Sequence, residues 1–149
     1  MVERLKYVMP DVIAISQMEK VCFGKEAWSL NNIRAEFCHD FSYFFAERRE
    51  GSIVGYVCVR LMYEEAQVCN LAVLPEYRRQ GIGTALVSHV LEFSKQQGCE
   101  RCELEVNVCN EGALALYEKC GFERAGIRKN FYRKSRYDSR DAYTLVKQL

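Results

Sequence analysis

The chain has 149 residues, with 21 Lys and Arg side chains against 20 Asp and Glu, for a formal net charge of +1. Its 49% of hydrophobic and 28% of charged residues are typical of a soluble globular protein and exclude an intrinsically disordered one. The length suits one domain, which we expect to span residues 1–149 and to be a monomer or weak oligomer. The near-neutral net charge disfavours nucleic acid as a partner.

The first half of the chain predicts strands and two helices. A short strand is expected at residues 5–8, followed by a helix that begins near Pro10 and carries an apolar stripe. Ser29 can cap a second helix that ends near residue 38. Runs of apolar and aromatic residues then predict strands at residues 43–49, 53–63 and 67–73, with a turn at Glu50-Gly51 between the first two.

The second half alternates helices with strands. A helix is expected over residues 81–97, a strand over 101–108 and a short helix over 111–120, with final strands near 122–131 and 142–147. The strand–helix–strand unit at 67–108 requires a parallel pair with a right-handed crossover. We therefore predict an α/β fold, with a mixed, mostly antiparallel sheet, helices on both faces and a central parallel strand pair.

A glycine-containing loop joins the strand at 67–73 to the long helix. Exposed N–H groups at a helix N-terminus favour an anion, and Gly81 and Gly83 permit its close approach to the backbone. Arg78 and Arg79 add positive charge. A tight loop with solvated arginines is the alternative, but the flanking strand and long helix favour a pyrophosphate site.

Two motifs resemble the GNAT (Gcn5-related N-acetyltransferase) superfamily. The run from Asn70 to Gly83 is similar to its acetyl-CoA signature, R/Q-x-x-G-x-G/A, and the run from Asn110 to Phe122 is similar to its second cofactor motif, N-x-x-A-x-x-x-Y-x-x-x-G-F. The resemblance implies a GNAT fold and an acetyl-CoA-dependent N-acetyltransferase, whose pantetheine adds to the strand like an extra strand. It also implies a set of cofactor-binding residues: Leu71, Ala72, Val73, Arg78, Arg79, Gln80, Gly81, Ile82, Gly83, Thr84 and Asn110.

A narrower resemblance begins at the strand over 101–108. The runs Leu104–Val106 and Arg128–Tyr132, with Tyr117 between them, are similar to the RimI family of bacterial enzymes. Those enzymes acetylate the N-terminal alanine of a small-subunit ribosomal protein, so the resemblance implies an N-terminal ribosomal peptide as partner. The chain departs from the family at Asn107, where Arg is usual, and at Cys109, where Ser is usual.

Two glutamates on one strand and a tyrosine on the short helix are candidates for acid–base chemistry. Glu103 and Glu105 share a face, which is costly in a covered sheet unless that face opens onto a cleft, although a solvated face is the alternative. Acetyl transfer needs a neutral amine, and a carboxylate can take the proton of the incoming ammonium. The resemblance implies Glu105 as general base, with Glu103 as second choice, and direct attack without an acyl-enzyme. It implies Tyr117 as general acid, whereas helical spacing alone indicates core packing for Tyr117.

The cysteines and the N-terminus bear on the cellular compartment. No apolar run reaches the roughly 20 residues that cross a bilayer, and residues 1–12 lack the apolar stretch of a signal peptide. We therefore expect a cytoplasmic protein with no membrane partner and with eight free cysteines. Cys99 and Cys102 form a single C-x-x-C without a second ligand pair, so no metal is predicted.

Two other functions are compatible with the same motifs. An acetyltransferase for a small amine would use the same cofactor residues, and so would a CoA-binding module without catalysis. The pairing of Glu105 with Tyr117 argues against the second alternative. The basic C-terminal residues 124–149 are expected to meet either the 3′-phosphate of CoA or a ribosomal surface. Within them, residues 124–140 interleave basic and aromatic side chains, a pattern that can hold RNA or form a solvated hairpin.

Overall fold

The computed structural model describes residues 1–149 and forms one seven-stranded sheet between two layers of helices. The strands are β1 (Val2–Arg4), β2 (Ser42–Arg49), β3 (Ser52–Met62), β4 (Glu65–Val73), β5 (Arg101–Asn107), β6 (Glu123–Arg128) and β7 (Ala142–Gln148). The helices are α1 (Met9–Phe23), α2 (Leu30–Phe37), α3 (Ile82–Gln96) and α4 (Glu111–Lys119), with 3-10 turns at Gly24–Glu26 and Pro75–Tyr77.

The sheet has the strand order β1-β2-β3-β4-β5-β7-β6. Its neighbours are antiparallel except β4 and β5, which α3 connects as a crossover, so the predicted mixed sheet with a central parallel pair is confirmed. The parallel pairing ends at Gln67 and Glu103 after three residue pairs, although β5 continues beside β7 as far as Asn107. Beyond that point β4 and β5 separate, and the separation opens a cleft in the middle of the sheet.

The helix ends follow local sequence signals. Ser29 caps α2 by accepting a hydrogen bond from the Asn32 N–H at 3.1 Å, as predicted. The Asn110 side chain caps α4 in the same way, with the Ala113 N–H as donor at 3.2 Å. Capping satisfies backbone N–H groups that have no partner inside the helix, and it fixes where α4 begins beside the cleft.

The predicted position of the first strand is wrong. The pattern predicts residues 5–8, whereas β1 comprises Val2–Arg4, at the edge of the sheet beside β2. Leu5 is buried under α1, and its N–H still donates to the Phe44 carbonyl at 2.8 Å, but residues 6–8 turn away toward the helix. The apolar signal therefore reflects the packing of Leu5 and not strand pairing.

Each face of the sheet carries its own core. One cluster packs under α3 and α4, and the other packs under α1 and α2. Gly55 of β3 allows α3 to lie close, because a Cβ there would come within 2.8 Å of the Ile82 side chain. All eight cysteines are free thiols; six are buried or half-buried, as expected, whereas Cys38 and Cys109 are exposed. None of the helices has the length and hydrophobicity that a bilayer crossing requires.

Candidate active site

A cavity of about 850 Å³ occupies the cleft between β4 and β5. The separated strands form its floor, the segment between α1 and α2 forms one wall, and the β6–β7 connection forms the other. Residues from both halves of the chain therefore meet there, among them Trp28, Gln67, Leu71, Glu105, Asn110, Tyr117 and Tyr132.

Glu105 of β5 places a nearly buried carboxylate in the cavity wall. Its side chain is 6% exposed, and its Oε1 accepts a hydrogen bond from Gln67 Nε2 at 3.4 Å and lies 3.7 Å from Arg128 Nη1. Its Oε2 is buried and has no hydrogen-bond partner. A buried carboxylate oxygen without a donor costs free energy, so native proteins retain it where it serves a ligand or a proton transfer. Because Glu105 lines the cavity, Oε2 is the candidate acceptor for a group that enters it.

Glu103, two residues earlier on β5, is in different surroundings. It lies opposite Gln67, where β4 and β5 still pair, and it does not line the cavity. A hydrogen bond with Glu65, together with burial, raises the pKa of Glu103 to about 6. The structure thus separates the two candidate bases, because only Glu105 faces the cleft.

Tyr117 of α4 both packs in the core and lines the cavity. Its ring meets Phe122 edge-on, with centroids 5.5 Å apart, and the residue is 6% exposed. Burial raises the pKa of its phenol, so the hydroxyl stays protonated at neutral pH and can donate. Core packing and proton donation are compatible, since the ring is apolar and the hydroxyl is not.

The cleft side of β4 exposes backbone groups that no strand pairs. Side chains satisfy two of them: the Leu71 N–H donates to Asn70 Oδ1 at 3.1 Å, and the Val73 carbonyl accepts from Arg78 Nε at 2.9 Å. Between them, Ala72 is buried on the α1 face. An extended ligand with amide groups can add to such an edge by replacing these side-chain contacts.

The glycine loop lies beyond this edge, at the start of α3. Gly81 caps the helix with a φ of 80° and no side-chain bond, so the first N–H groups of α3 have no capping side chain. Gly83 lies close to α4, since a Cβ there would come within 3.2 Å of the Leu116 side chain. The remaining predicted loop residues divide by environment: Arg79, Gln80 and Thr84 lie on the loop surface or its margin, and Ile82 is buried in the core.

The comparisons with known proteins agree with this geometry. The model of the acetyltransferase (GNAT) family matches residues 12–122. The chain belongs to the GNAT acetyltransferase family. It is therefore an acetyl-CoA-dependent N-acetyltransferase, and the unpaired β4 edge and the uncapped α3 N-terminus fit an amide-containing, phosphorylated donor.

Among relatives of this GNAT chain, N-alpha-acetyltransferase RimI of Mycobacterium tuberculosis is 31% identical over 140 residues, which cover 91% of this chain and 85% of the relative. The [ribosomal protein bS18]-alanine N-acetyltransferase of Escherichia coli K12 is 38% identical over 88 residues, or 59% of this chain and 60% of that enzyme. A crystal structure of the Escherichia coli ribosomal-protein-S18-alanine N-acetyltransferase superposes with a TM-score of 0.86 at 29% identity, covering 99% of this chain and 94% of that one.

Sequence reasoning missed a buried polar network beneath this GNAT site. Glu19 of α1 is fully buried and accepts hydrogen bonds from the Tyr56 hydroxyl at 2.6 Å, Asn70 Nδ2 at 2.7 Å and the Trp28 N–H at 2.8 Å. Burial raises the pKa of Glu19, and these bonds partly offset that effect. The signal was present in the sequence, because Glu19 stands four residues after Ile15 on the apolar stripe of α1.

Sequence reasoning also missed how the β6–β7 connection is held over the GNAT cleft. Asn107 Nδ2 donates to Ser135 Oγ at 3.1 Å and to the Ser139 carbonyl at 2.8 Å, so this departure from the RimI pattern anchors the connection. Arg136 Nη1 pairs with Glu26 Oε2 at 2.9 Å across the cavity mouth. These partners are far apart in the sequence, and no local pattern links them.

Proposed function

We propose that residues 1–149 act as one domain that acetylates the N-terminal amine of a protein. The acceptor we propose is the N-terminal alanine of a small-subunit ribosomal protein. The single observation that carries the chemistry is the buried, unpartnered Oε2 of Glu105 in a cavity that Tyr117 also lines. The name of the Escherichia coli relative, which specifies an alanine of ribosomal protein bS18, supports this acceptor, and the name of the Mycobacterium tuberculosis relative supports an N-terminal α-amine.

We propose the following roles for the chain's own groups. Acetyl-CoA supplies the activated acetyl group. Glu105 takes a proton from the acceptor ammonium, because only the neutral amine has a lone pair for attack on a carbonyl, and later returns the proton to solvent. As the C–N bond forms and the C–S bond breaks, Tyr117 donates its hydroxyl proton to the departing sulfur. The nitrogen then loses its second proton, which restores the phenol of Tyr117 through solvent. Gln67 and Arg128 hold Oε1 of Glu105 and so leave Oε2 to the amine.

The size and walls of the cavity favour a peptide over a small amine. Its volume of about 850 Å³ lies toward the upper end of small-molecule sites, which leaves room for the reacting groups and the first residues of a chain. Trp28 and Tyr132 offer apolar faces with polar edges on opposite walls.

A panel of acceptors tests this proposal. The purified chain is incubated with acetyl-CoA and either an alanine-starting ribosomal peptide, the same peptide with its N-terminus already acetylated, or spermidine. We expect turnover with the free peptide and none with the blocked one, since the α-amine is the nucleophile. Equal or faster turnover of spermidine would instead assign the site to small amines.

Substitution of the two β5 carboxylates tests the assignment of the base. Glu105→Gln keeps the shape of the side chain and removes its basicity, so kcat/KM should fall by about 10²- to 10⁴-fold. Glu103→Gln is the matched control on the same strand face, and it should change kcat/KM by less than about threefold, because Glu103 does not line the cavity. A larger loss from Glu103→Gln would transfer the role to that residue.

A further inference from the structure

Two cysteines that the acetyl-transfer chemistry does not use meet in the wall of the cavity. Cys58 of β3 is fully buried, whereas Cys69 of β4 is half-buried and lines the cavity. Their sulfur atoms lie within 4.8 Å of each other and of a carboxylate oxygen of Glu36. A thiol pair at this separation needs a small movement to reach the S–S bond length of about 2.05 Å.

A β-bulge explains why these two side chains face each other. Cys58 pairs with Asn70 and the next residue, Val59, pairs with Val68, so Cys69 is the extra residue of the bulge. Val68 packs in the core under α3, whereas Cys69 packs against the α1 side and Asn70 reaches the buried carboxylate of α1. Consecutive side chains share a face only at a bulge, and bulges commonly redirect a side chain beside an active site.

We propose that Cys69 and Cys58 are a peroxide-sensitive pair that forms an intrachain disulfide in the cavity wall. The Cys69 thiolate attacks hydrogen peroxide, which breaks the O–O bond, leaves a sulfenic acid on Cys69 and releases one water. The Cys58 sulfur then attacks the Cys69 sulfur, forms the S–S bond and releases a second water. Two thiols are oxidised by two electrons, and one peroxide is reduced to two waters.

The electrostatics agree with this order of events. The neighbouring Cys58 thiol and the Arg60 guanidinium lower the pKa of Cys69, although burial and Glu36 oppose them. The proximity of Cys69 and burial raise the pKa of Cys58. In the reduced structure the Cys69 thiol donates a hydrogen bond to the Gln67 carbonyl at 3.6 Å. The cysteine at the cavity is thus the more acidic one, and the fully buried one is suited to resolve its sulfenic acid, the arrangement typical of redox-sensitive pairs.

A thiophilic metal is the competing occupant of this cluster, and Arg60 disfavours it. Arg60 donates from Nε to Glu36 Oε2 at 2.7 Å and from Nη2 to Oε1 at 2.8 Å, so both carboxylate oxygens are engaged. A cation would have to displace this bidentate pair. Disulfide formation requires no change at Glu36.

The disulfide can be identified directly by mass spectrometry. Trypsin cleaves after Arg49, Arg60 and Arg78, so residues 50–60 carry Cys58 alone and residues 61–78 carry Cys69 alone. The reduced full chain is treated with hydrogen peroxide, quenched with N-ethylmaleimide and digested. We expect the two peptides joined at a mass about 2 Da below their sum, and separated again by dithiothreitol.

Single substitutions distinguish the two roles. Cys69→Ser should abolish both the disulfide and dimedone labelling of the 61–78 peptide. Cys58→Ser or Cys58→Ala should retain that labelling without the disulfide; the second variant keeps the test valid if a buried hydroxyl disturbs folding. Cys109→Ser, at an exposed thiol, is the matched control and should leave the disulfide yield unchanged.

Two results would overturn the proposal. One is oxidation of Cys38 and Cys109 while the 50–60 and 61–78 peptides remain unlinked. The other is a purified chain that holds stoichiometric zinc, loses it in both Cys58→Ala and Cys69→Ser, and resists peroxide. Because the readout is a peptide mass and not acetyl transfer, it is independent of the acceptor and of the base proposed above.

Discussion

Removal of the Glu19 carboxylate should destabilise the protein more than most single substitutions do. In Glu19→Ala the hydroxyl of Tyr56, the amide of Asn70 and the N–H of Trp28 lose their common acceptor. The Tyr56 side chain is fully buried, so its hydroxyl has no access to bulk water. Hydrogen bonds to a charged group contribute about 1.5–3 kcal/mol each, and partial rearrangement reduces their sum, so we expect a loss of about 4 kcal/mol of unfolding free energy.

Milder variants provide a graded comparison for this loss. Glu19→Gln retains one acceptor oxygen but turns an amide N–H₂ toward a donor, for a loss of about 2 kcal/mol. Tyr56→Phe removes one donor and leaves the carboxylate with its other two donors, so the expected loss of unfolding free energy is about 1 kcal/mol. Urea unfolding measures all three, with the single tryptophan, Trp28, as the fluorescence reporter at the network and far-UV circular dichroism as a global check.

The pH dependence of this effect has a defined sign. Because the pKa of Glu19 is raised in the folded state, the folded protein binds its proton more tightly than the unfolded chain does. The contribution of Glu19 to stability therefore falls as pH rises through the raised pKa, and the penalty of Glu19→Gln should be smaller at pH 8 than at pH 5. A loss below about 1 kcal/mol for Glu19→Ala, or a larger loss for Tyr56→Phe, would refute the reasoning.

Three further predictions concern other parts of the molecule. Folding raises the pKa of Glu103 from 4.5 to about 6, so the contribution of Glu103 to stability is lost as pH rises through that window. Glu103→Gln should therefore raise the free energy of unfolding by about 1 kcal/mol at pH 8 and leave it unchanged at pH 4, as measured by thermal unfolding. Arg136→Ala should raise the peptide KM severalfold at unchanged kcat, because it frees the β6–β7 connection, whereas the surface control Arg124→Ala should change neither constant in steady-state assays. Gly55→Ala should lower the free energy of unfolding, measured by urea denaturation, by about 2 kcal/mol. No change would mean that α3 can shift outward.

Most of the fold could be predicted from the sequence because its signals are local. The cap at Ser29, the apolar runs of β2 and β3 and the alternation along β5 depend on neighbours a few residues away. The error at β1 arose because burial of Leu5 and strand pairing produce the same apolar pattern. The bulge at Cys69 has no periodic signal, since an extra residue changes the alternation without changing the composition.

Less of the candidate site could be predicted from local sequence patterns. The two glutamates of β5 pointed to a cleft, and the structure contains one, but only the register at Gln67 distinguishes Glu105 from Glu103. The contact of Arg136 with Glu26 joins residues 110 positions apart. Such a contact depends on how the sheet brings distant segments together, so no local sequence pattern predicts it.

The separation of β4 and β5 has a consequence for the cooperativity of unfolding. It divides the sheet into a block of β1–β4 and a block of β5–β7, which backbone pairing joins through three residue pairs. One hydrophobic core under α3 still packs side chains of both blocks together, so the gap weakens the backbone coupling between them and leaves the side-chain packing. A donor that bridges β4 and β5 would bind only while both blocks are folded, so by mass action it would raise the free energy of opening by the same amount for each block. Bound acetyl-CoA would then stabilise the part of the sheet with the fewest backbone pairs, and native-state hydrogen exchange would show the gain at the amides of β4 and β5.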